Sequence, residues 1–245
     1  MSIFMPGIER LRRGENVSGS LPAIATTIDE KSRWFLNQLD IAITTSFNNT
    51  HPQSKYVFHS SVVGTPCNRF LYFHYNGLLP FIVSDAKSRR RLDVGHSAET
   101  RYEAYFRKMR AYVQKEVSAR LERPPIHGRA DFILTFPQIG LRRVVVELKT
   151  INNADFQSLV TPVNLHVVQL QSYLNILAID NGIILYEDKN NQSLKSFFIE
   201  RNNTLWQQVV ERCEWIQTLA IPPEVDKTVV HDRYCKCLGY RKSEH

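Results

Sequence analysis

Residues 128–150 read GRADFILTFPQIGLRRVVVELKT, and they predict the centre of the fold. Two runs rich in Ile, Leu and Val flank a Pro-Gln-Ile-Gly segment, a pattern typical of two strands joined by a turn. Asp131 stands at the head of the first run, and Glu147 and Lys149 stand at the end of the second. Since residues two apart in a strand point to the same face, we expect Glu147 and Lys149 on one face, with Asp131 on the adjacent strand.

The spacing of apolar residues predicts helices and further strands around these two strands. Helices are expected at 28–47, 66–75, 98–110, 165–178 and 204–219, and strands at 112–117, 130–136, 141–148, 182–186 and 193–199. This order predicts an α/β fold in which a mixed central β-sheet is flanked by helices. We expect residues 1–25 to form a basic N-terminal arm and residues 26–245 to form a single domain with a Cys-containing C-terminal tail.

The chain is basic, with a formal net charge of +7 over 245 residues. Such a balance favours polyanionic partners, of which nucleic-acid phosphates are the obvious example. Lys and Arg cluster at 10–13, 87–91 and 107–110, although a solvated basic face explains any single cluster equally well. No segment resembles a membrane span or a signal peptide, so we expect an intracellular protein without membrane association.

Asp131, Glu147 and Lys149 together predict metal-dependent hydrolysis. Carboxylates on adjacent strands can converge on Mg²⁺ or Mn²⁺, and charges on a buried strand are costly unless they are paired or bind a metal. A bound metal lowers the pKa of water, and an adjacent ammonium can orient that water or stabilise the charge of the transition state. The pattern is short, however, and a surface Glu–Lys pair with an unrelated Asp is the alternative.

Further motifs stand in order around these residues. The series is Ser60-Ser61 before Cys67-Asn68-Arg69-Phe70, then Val94-Gly95-His96 with Glu99, Gly128-Arg129-Ala130-Asp131, Glu147-Leu148-Lys149 and Gln169-Leu170-Gln171-Ser172-Tyr173. Over about residues 58–240 this series resembles the PD-(D/E)XK nucleases, in the RecB-type exonuclease branch with its CRISPR-adaptation and phage recombination exonucleases. The resemblance implies a restriction-endonuclease-like core with helical N-terminal and C-terminal additions.

The resemblance also implies roles for the upstream motif. His96, at a helix start, would join Asp131 and Glu147 as a metal ligand, and an imidazole favours Mn²⁺ more than a pure oxygen site would. Glu99 would be a further carboxylate of the site. For His96 taken alone, a helix cap or a surface position is the alternative.

Downstream, Gln169 and Tyr173 are four residues apart and therefore share a helix face. The resemblance implies that this face lies beside the metal, with both residues catalytic, whereas a core Tyr with a partly exposed Gln is the alternative. Nucleic-acid-binding candidates are Arg69, Arg89, Arg90, Arg91 and Arg129. The aromatic residues of 66–75 would either stack on single-stranded DNA or fill the core.

Four cysteines raise the prospect of a second metal centre, since disulfides are rare inside cells. The candidate iron–sulfur or zinc ligands are Cys67, Cys213, Cys235 and Cys237. Some relatives hold a [4Fe–4S] cluster with one N-terminal and three C-terminal cysteines, but the Cys-x-Cys tail here departs from their Cys-x-x-Cys spacing. The fourth ligand would then be Cys213, His231 or His245. A zinc site and no site at all are alternatives, and the apolar helix stripe around Cys213 favours a buried free cysteine there.

The sequence therefore predicts a metal-dependent DNA nuclease, and most specifically an exonuclease acting on DNA ends in phage or cellular recombination or repair. DNA that is single-stranded or has free ends is the expected partner, and a helicase or a single-strand annealing protein is a candidate protein partner. The alternatives are an endonuclease, a non-catalytic nucleic-acid-binding protein on a nuclease-like fold, and a docking protein in a larger machine.

Overall fold

The computed structural model describes residues 24–45, 55–79, 85–136, 141–226 and 228. The chain forms two compact units, residues 1–49 and residues 50–245. Helix α1 (Ile24–Thr45) belongs to the first unit and begins four residues earlier than predicted. The predicted arm over 1–25 and single domain over 26–245 stay predictions. None of the helices in the described part of the chain is long and apolar enough to cross a bilayer.

The second unit contains a mixed sheet with helices around it. Its described elements are β1 (Phe58–His59), α2 (Asn68–Tyr75), α3 (Ala86–Lys108), β2 (Tyr112–Leu121), β3 (Ile126–Phe136), β4 (Leu141–Ile151), α4 (Asn153–Ser158), α5 (Asn164–Ile176), β5 (Asn181–Asp188), β6 (Leu194–Glu200) and α6 (Asn203–Thr218). The six strands form one sheet with both parallel and antiparallel pairs. The predicted α/β fold, a mixed sheet flanked by helices, is confirmed.

β3 organises the sheet. β2 pairs antiparallel with β3 along nearly its whole length and so occupies one of its edges. β1 and β4 share the other edge, because β1 pairs with Ile126 and His127 while β4 pairs from Phe132 onward. Among the described strands none pairs with residues 128–131 on this edge, so β1 and β4 diverge beside Asp131. β5 and β6 continue the sheet from β4.

The two faces of the sheet carry different apolar clusters, because successive strand residues point to opposite faces. Towards α3 the cluster contains Tyr102, Phe106, Phe132, Leu134, Val144, Val146 and Leu148. Towards α5 it contains Ile133, Val145, Leu170, Tyr173, Leu174 and Ile184. Asp131 is two residues before Ile133, and Glu147 and Lys149 are two and four residues after Val145. Their side chains therefore point to the face of the sheet that α5 covers. A third cluster joins α2 to α6.

α3 begins at Ala86, twelve residues before the predicted start, and His96 therefore lies inside the helix and not at its beginning. The side chain of Asp85 caps the helix by accepting the backbone N–H of Ser88 at 2.6 Å. The charged stretch that follows has few apolar residues, so its helical periodicity was hidden from the sequence. The prediction of a helix start at Gly95-His96 was wrong for this reason.

β3 begins at Ile126, five residues before Asp131, so Asp131 lies in the middle of the strand and not at its head. The predicted strand begins at Ala130, but the backbones of the four residues before it also pair with β2. β4 likewise continues to Ile151, two residues beyond Lys149. In α2, Tyr72 and Phe73 are buried in the cluster shared with α6, which confirms the core alternative for them.

Candidate active site

Glu147 and Lys149 form an ion pair on one face of β4, as their spacing predicted. The Lys149 Nζ lies 2.6 Å from Glu147 Oε1. Glu147 is 1% exposed, whereas the side chain of Lys149 is 23% exposed. The second carboxylate oxygen, Glu147 Oε2, is buried and has no hydrogen-bond partner among the described residues. An ionised oxygen in such a place is costly, so the carboxylate is suited to a cation that the protein chain itself does not supply.

Asp131 faces the same place from β3. Its Oδ2 accepts the backbone N–H of Leu148 at 2.8 Å. The backbone pairing of β3 with β4 ends at Phe132 and Val146. The Asp131 side chain therefore accepts a backbone N–H that lies just past the end of this pairing. Burial raises the pKa of Asp131 to about 6, although the Leu148 N–H and the charge of Lys149 both oppose the rise.

The two carboxyl groups also repel each other. Burial raises the pKa of Glu147 to about 8 against the attraction of Lys149, and the charges of Asp131 and Glu99 raise it further. The charge of Glu99, on α3, likewise raises the pKa of Asp131. A divalent cation would relieve both the lost hydration and the repulsion, and carboxylate oxygens are the ligands that Mg²⁺ and Mn²⁺ prefer.

Helix α5 completes the arrangement with Gln169 and Tyr173. Lys149 Nζ donates to Gln169 Oε1 at 3.1 Å, and Gln169 Nε2 donates to the hydroxyl of Tyr173 at 3.0 Å. Both α5 side chains are buried, so Gln169 is not the partly exposed residue of the alternative reading. Burial raises the pKa of Tyr173 far above its usual value, so its hydroxyl stays protonated. A continuous line of contacts therefore runs from Glu147 through Lys149 and Gln169 to Tyr173.

A cleft of about 540 Å³ opens where β1 and β4 diverge. Asp131, Gln169 and Tyr173 lie in its wall together with side chains of β1, β2 and β3. Those side chains are basic or hydroxylic: His59, Ser60, Arg120, His127 and Arg129. Ser60 Oγ is buried without a hydrogen-bond partner among the described residues.

Gly128 allows the walls of the cleft to approach each other. A Cβ atom at this position would lie 2.3 Å from Ser60 Oγ and 2.6 Å from Tyr173 Cε1. The glycine of the Gly-x-x-Asp motif is thus required by the contact between β1, β3 and α5. His59, Arg120 and His127 were not predicted from the sequence, because no motif marks them and only the pairing of β1 and β2 with β3 brings them to Asp131.

His96 has an exposed side chain on α3, and its backbone carbonyl accepts the hydroxyl of Thr100. Within the described ranges there is no group of three or more His, Cys, Asp or Glu side chains close enough to hold a metal. The role of His96 as a ligand therefore stays a prediction. Asp131 and Glu147, the other two predicted ligands, lie on the adjacent strands β3 and β4, and Asp131 lines the cleft.

The predicted DNA-binding arginines have different surroundings. Arg69 donates to the carbonyl of Pro223 at 2.9 Å and stacks over Phe73, so it fixes the segment after α6. Arg90 and Arg91 are exposed on α3, and Arg89 pairs with Asp93 at 3.3 Å. Arg129 is exposed at the wall of the cleft, 3.6 Å from Glu116. Of the five arginines, Arg129 is the one that the structure places at the carboxylates.

The cysteines lie away from this cleft or outside the described residues. Cys67 caps α2 by accepting the backbone N–H of Phe70 at 3.3 Å. Cys67 and Cys213 are both buried in the cluster between α2 and α6. Burial raises the pKa of Cys213 to about 12, as expected for an inert core thiol. Cys235 and Cys237 fall outside the described residues, together with His231 and His245, so the cluster and the zinc site stay predictions.

No family model matches the chain, and no curated protein matches it. Among solved structures, SSO0001 is similar with a TM-score of 0.53 and 17% identity, over 77% of this chain and 87% of that chain. LHK-Exo in complex with dAMP is similar with a TM-score of 0.49 and 15% identity, over 66% of this chain and 86% of that one.

The alkaline exonuclease LHK-Exo from Laribacter hongkongensis is similar with a TM-score of 0.48 and 12% identity, over 74% of this chain and 90% of that one. Identities at this level show the fold alone. The sheet, with Asp131 on β3 and Glu147 and Lys149 on β4, and the likeness to SSO0001 agree with the series of motifs. The chain shares its fold with SSO0001, which is consistent with the resemblance that the ordered motifs predicted.

Proposed function

We propose that this chain is a metal-dependent DNA nuclease that hydrolyses phosphodiester bonds. The observation that carries the proposal is the arrangement of the buried Glu147 and the partly buried Asp131 beside Lys149, with Asp131 in the wall of a basic cleft. A structural Glu–Lys pair would not need a second, partly buried carboxylate nearby, nor a buried carboxylate oxygen without a hydrogen-bond partner. Both features are costly in a fold that does not use them.

Asp131 and Glu147 would hold Mg²⁺ or Mn²⁺, and the buried Glu147 Oε2, which has no hydrogen-bond partner among the described residues, fits that role. The bound ion would polarise the phosphoryl group and lower the pKa of water. The raised pKa values of both carboxyl groups support the same assignment. Ionisation of this pair is unfavourable unless positive charge lies beside it.

Lys149 is placed to stabilise negative charge. Glu147 Oε1 and Gln169 Oε1 accept two of the three N–H bonds of its ammonium. The third N–H is available for a phosphate oxygen, because Lys149 is partly exposed. Negative charge grows on those oxygens during hydrolysis, so a fixed ammonium beside them lowers the barrier.

Gln169 and Tyr173 keep that ammonium in position. Because Gln169 Nε2 donates to Tyr173, its Oε1 is turned towards Lys149 and cannot exchange places with the amide nitrogen. Tyr173 is buried, so it fixes the end of the line of contacts that starts at Glu147. These two residues therefore act on the reaction through Lys149, which is the role expected of a helix face beside the reacting group.

The composition of the cleft supports DNA as the substrate. Arg120 and Arg129 supply positive charge, and Ser60 supplies a hydroxyl without a hydrogen-bond partner among the described residues. Phosphates are bound by groups of these kinds. We propose further that the enzyme is an exonuclease acting on DNA ends in recombination or repair, which is supported by the resemblance of the ordered motifs. A helicase or an annealing protein as partner stays a prediction.

The test is a cleavage assay with end-labelled single-stranded, double-stranded and closed circular DNA, in Mg²⁺, in Mn²⁺ and in chelator. We expect metal-dependent degradation of linear DNA that is abolished by Asp131→Ala, Glu147→Ala and Lys149→Ala. Asp180→Ala is the matched control, because Asp180 is an exposed carboxylate paired with Arg201. Activity that survives Asp131→Ala would refute the site.

Two other results of this assay would redirect the proposal. Cleavage of closed circles would replace the exonuclease with an endonuclease. Binding without any cleavage would support the non-catalytic nucleic-acid-binding protein. The predicted cysteine site has its own test, in which anaerobically purified protein is examined for visible iron–sulfur absorbance and for iron and zinc content. A colourless protein that contains neither metal would end that prediction.

A further inference from the structure

His166 lies in the first turn of α5, three residues before Gln169 and seven before Tyr173, and this spacing places it on the same helix face. Two independent connections place it beside Lys149. Its ring contacts Tyr186, which is the β5 neighbour of Lys149 in the sheet register. One helix turn further on, Gln169 accepts a hydrogen bond from Lys149.

The contact with Tyr186 determines which nitrogen of His166 carries the proton. The Tyr186 hydroxyl accepts the backbone N–H of Val163 at 3.1 Å and lies 2.8 Å from His166 Nδ1. Tyr186 is fully buried, so its own hydroxyl proton is directed to Nδ1 and not to water. Nδ1 is therefore an acceptor, and the neutral imidazole carries its proton on Nε2.

The imidazole stays neutral, because burial and then the charge of Lys149 lower the pKa of His166 to about 4. His166 is partly exposed, and the hydrogen bond of its ring to the described residues is made by Nδ1, which leaves Nε2 for a partner outside the chain. The inner edge of the ring is thus anchored on a buried tyrosine, while the outer edge carries an N–H group that lies within the electrostatic influence of Lys149. A fixed neutral donor in such a place suits an anionic oxygen.

We propose that His166 is a further substrate-binding residue, whose Nε2–H donates to a nonbridging oxygen of the DNA backbone next to the phosphate that Lys149 contacts. The inference rests on the proposed function, because it places the strand across the α5 face that carries Gln169. The His166 contact would add a phosphate-binding group outside the cleft, on the side of Lys149 where Tyr186 lies. The competing explanation is that His166 is only a packing partner for Tyr186, which requires Nδ1 but not Nε2.

Two substitutions separate these roles. Asparagine places its amide oxygen near the position of Nδ1, so His166→Asn keeps an acceptor for Tyr186 but removes the outer donor. Glutamine places its amide nitrogen near the position of Nε2, so His166→Gln keeps the outer donor but weakens the inner contact. Affinity for a fluorescent single-stranded oligonucleotide is measured by anisotropy in chelator, and the thermal stability of each variant is measured in parallel.

We expect His166→Asn to bind the oligonucleotide about tenfold more weakly than the wild type, as for loss of a hydrogen bond to a charged group. His166→Gln should recover most of that affinity although it is the less stable of the two proteins. In Mg²⁺ the Asn variant should show the change mainly in KM. Equal affinities for the Asn variant and the wild type, or equal losses in both variants, would overturn the inference.

The same experiment distinguishes failure of the inference from failure of the proposed function. If the wild type cleaves DNA but both variants bind alike, the His166 contact is refuted and the nuclease stands. If the wild type cleaves nothing but the Gln and Asn variants bind differently, the nuclease is refuted and the contact stands. A wild-type protein that binds no DNA would refute both.

Discussion

Replacing Glu147 with glutamine tests whether its buried carboxylate needs a cation. Burial raises the pKa of Glu147 to about 8 from its ordinary value of 4.5. The folded protein therefore binds more protons than the unfolded chain between these two values, so the stability that protonated Glu147 contributes is lost as pH rises from about 4.5 to about 8. In chelator we expect Glu147→Gln to be more stable than the wild type at pH 8.

The size of the effect follows from the same pKa interval. At about 1.4 kcal/mol per pH unit, the interval corresponds to roughly 5 kcal/mol, most of which is present at pH 8. Glutamine has costs of its own, because Lys149 loses a charged partner and a buried amide must find new ones, together about 1–3 kcal/mol. The expected net gain in the free energy of unfolding is therefore about 2 kcal/mol at pH 8, and none at pH 5.

The assay is urea unfolding in chelator at pH 5, 6.5 and 8, repeated with Mg²⁺ and with Mn²⁺. The divalent ion should stabilise the wild type, by about 2.7 kcal/mol at a hundred times its dissociation constant, and the variant much less. Glu200→Gln is the matched control, since Glu200 is an exposed strand glutamate. The reasoning is refuted if Glu147→Gln is no more stable than the wild type at pH 8, or if its advantage grows as pH falls.

Three further predictions concern the cleft, the contact between α3 and β5, and the position of Lys149. Gly128→Ala should lower the free energy of unfolding by about 1–3 kcal/mol and reduce cleavage, because its Cβ would meet Ser60 and Tyr173; unchanged urea unfolding would contradict this. Tyr102→Phe should cost about 1.5–3 kcal/mol through loss of the 2.5 Å hydrogen bond to the buried Glu187, and a loss no larger than in the exposed control Tyr105→Phe would count against it. Gln169→Leu should lower kcat about tenfold with little change in KM, since it frees the Lys149 ammonium, and a change in KM alone would show a different role.

The two central strands were predictable from local sequence. Runs of Ile, Leu and Val with a Pro-Gly turn between them favour strands whatever surrounds them, and the pleat then places Glu147 and Lys149 on one face. The first half of α3 and the polar start of β3 were not predictable. Their residues carry little apolar periodicity, and they are held by the Asp85 cap and by pairing with β2.

The residues of the candidate site were likewise only partly predictable from the sequence. Asp131, Glu147, Lys149, Gln169 and Tyr173 were named from the sequence because their order and spacing form recognisable motifs. His59 and His127 belong to no motif and became visible through the pairing of β1 with β3. For His166 the signal was its place three residues before Gln169, but its role depends on a hydroxyl twenty residues away.

The types of the chemical groups and their order could be taken from the sequence, because strand and helix periodicities are local properties of the chain. The packing of the elements was needed to find that Glu147 Oε2 is buried without a hydrogen-bond partner among the described residues, and that Gln169 accepts a hydrogen bond from Lys149. The physical reason is that burial and hydrogen bonding depend on elements distant in the chain. The divergence of β1 and β4 along β3 creates the cleft at Asp131, and the docking of α5 on the sheet completes the site.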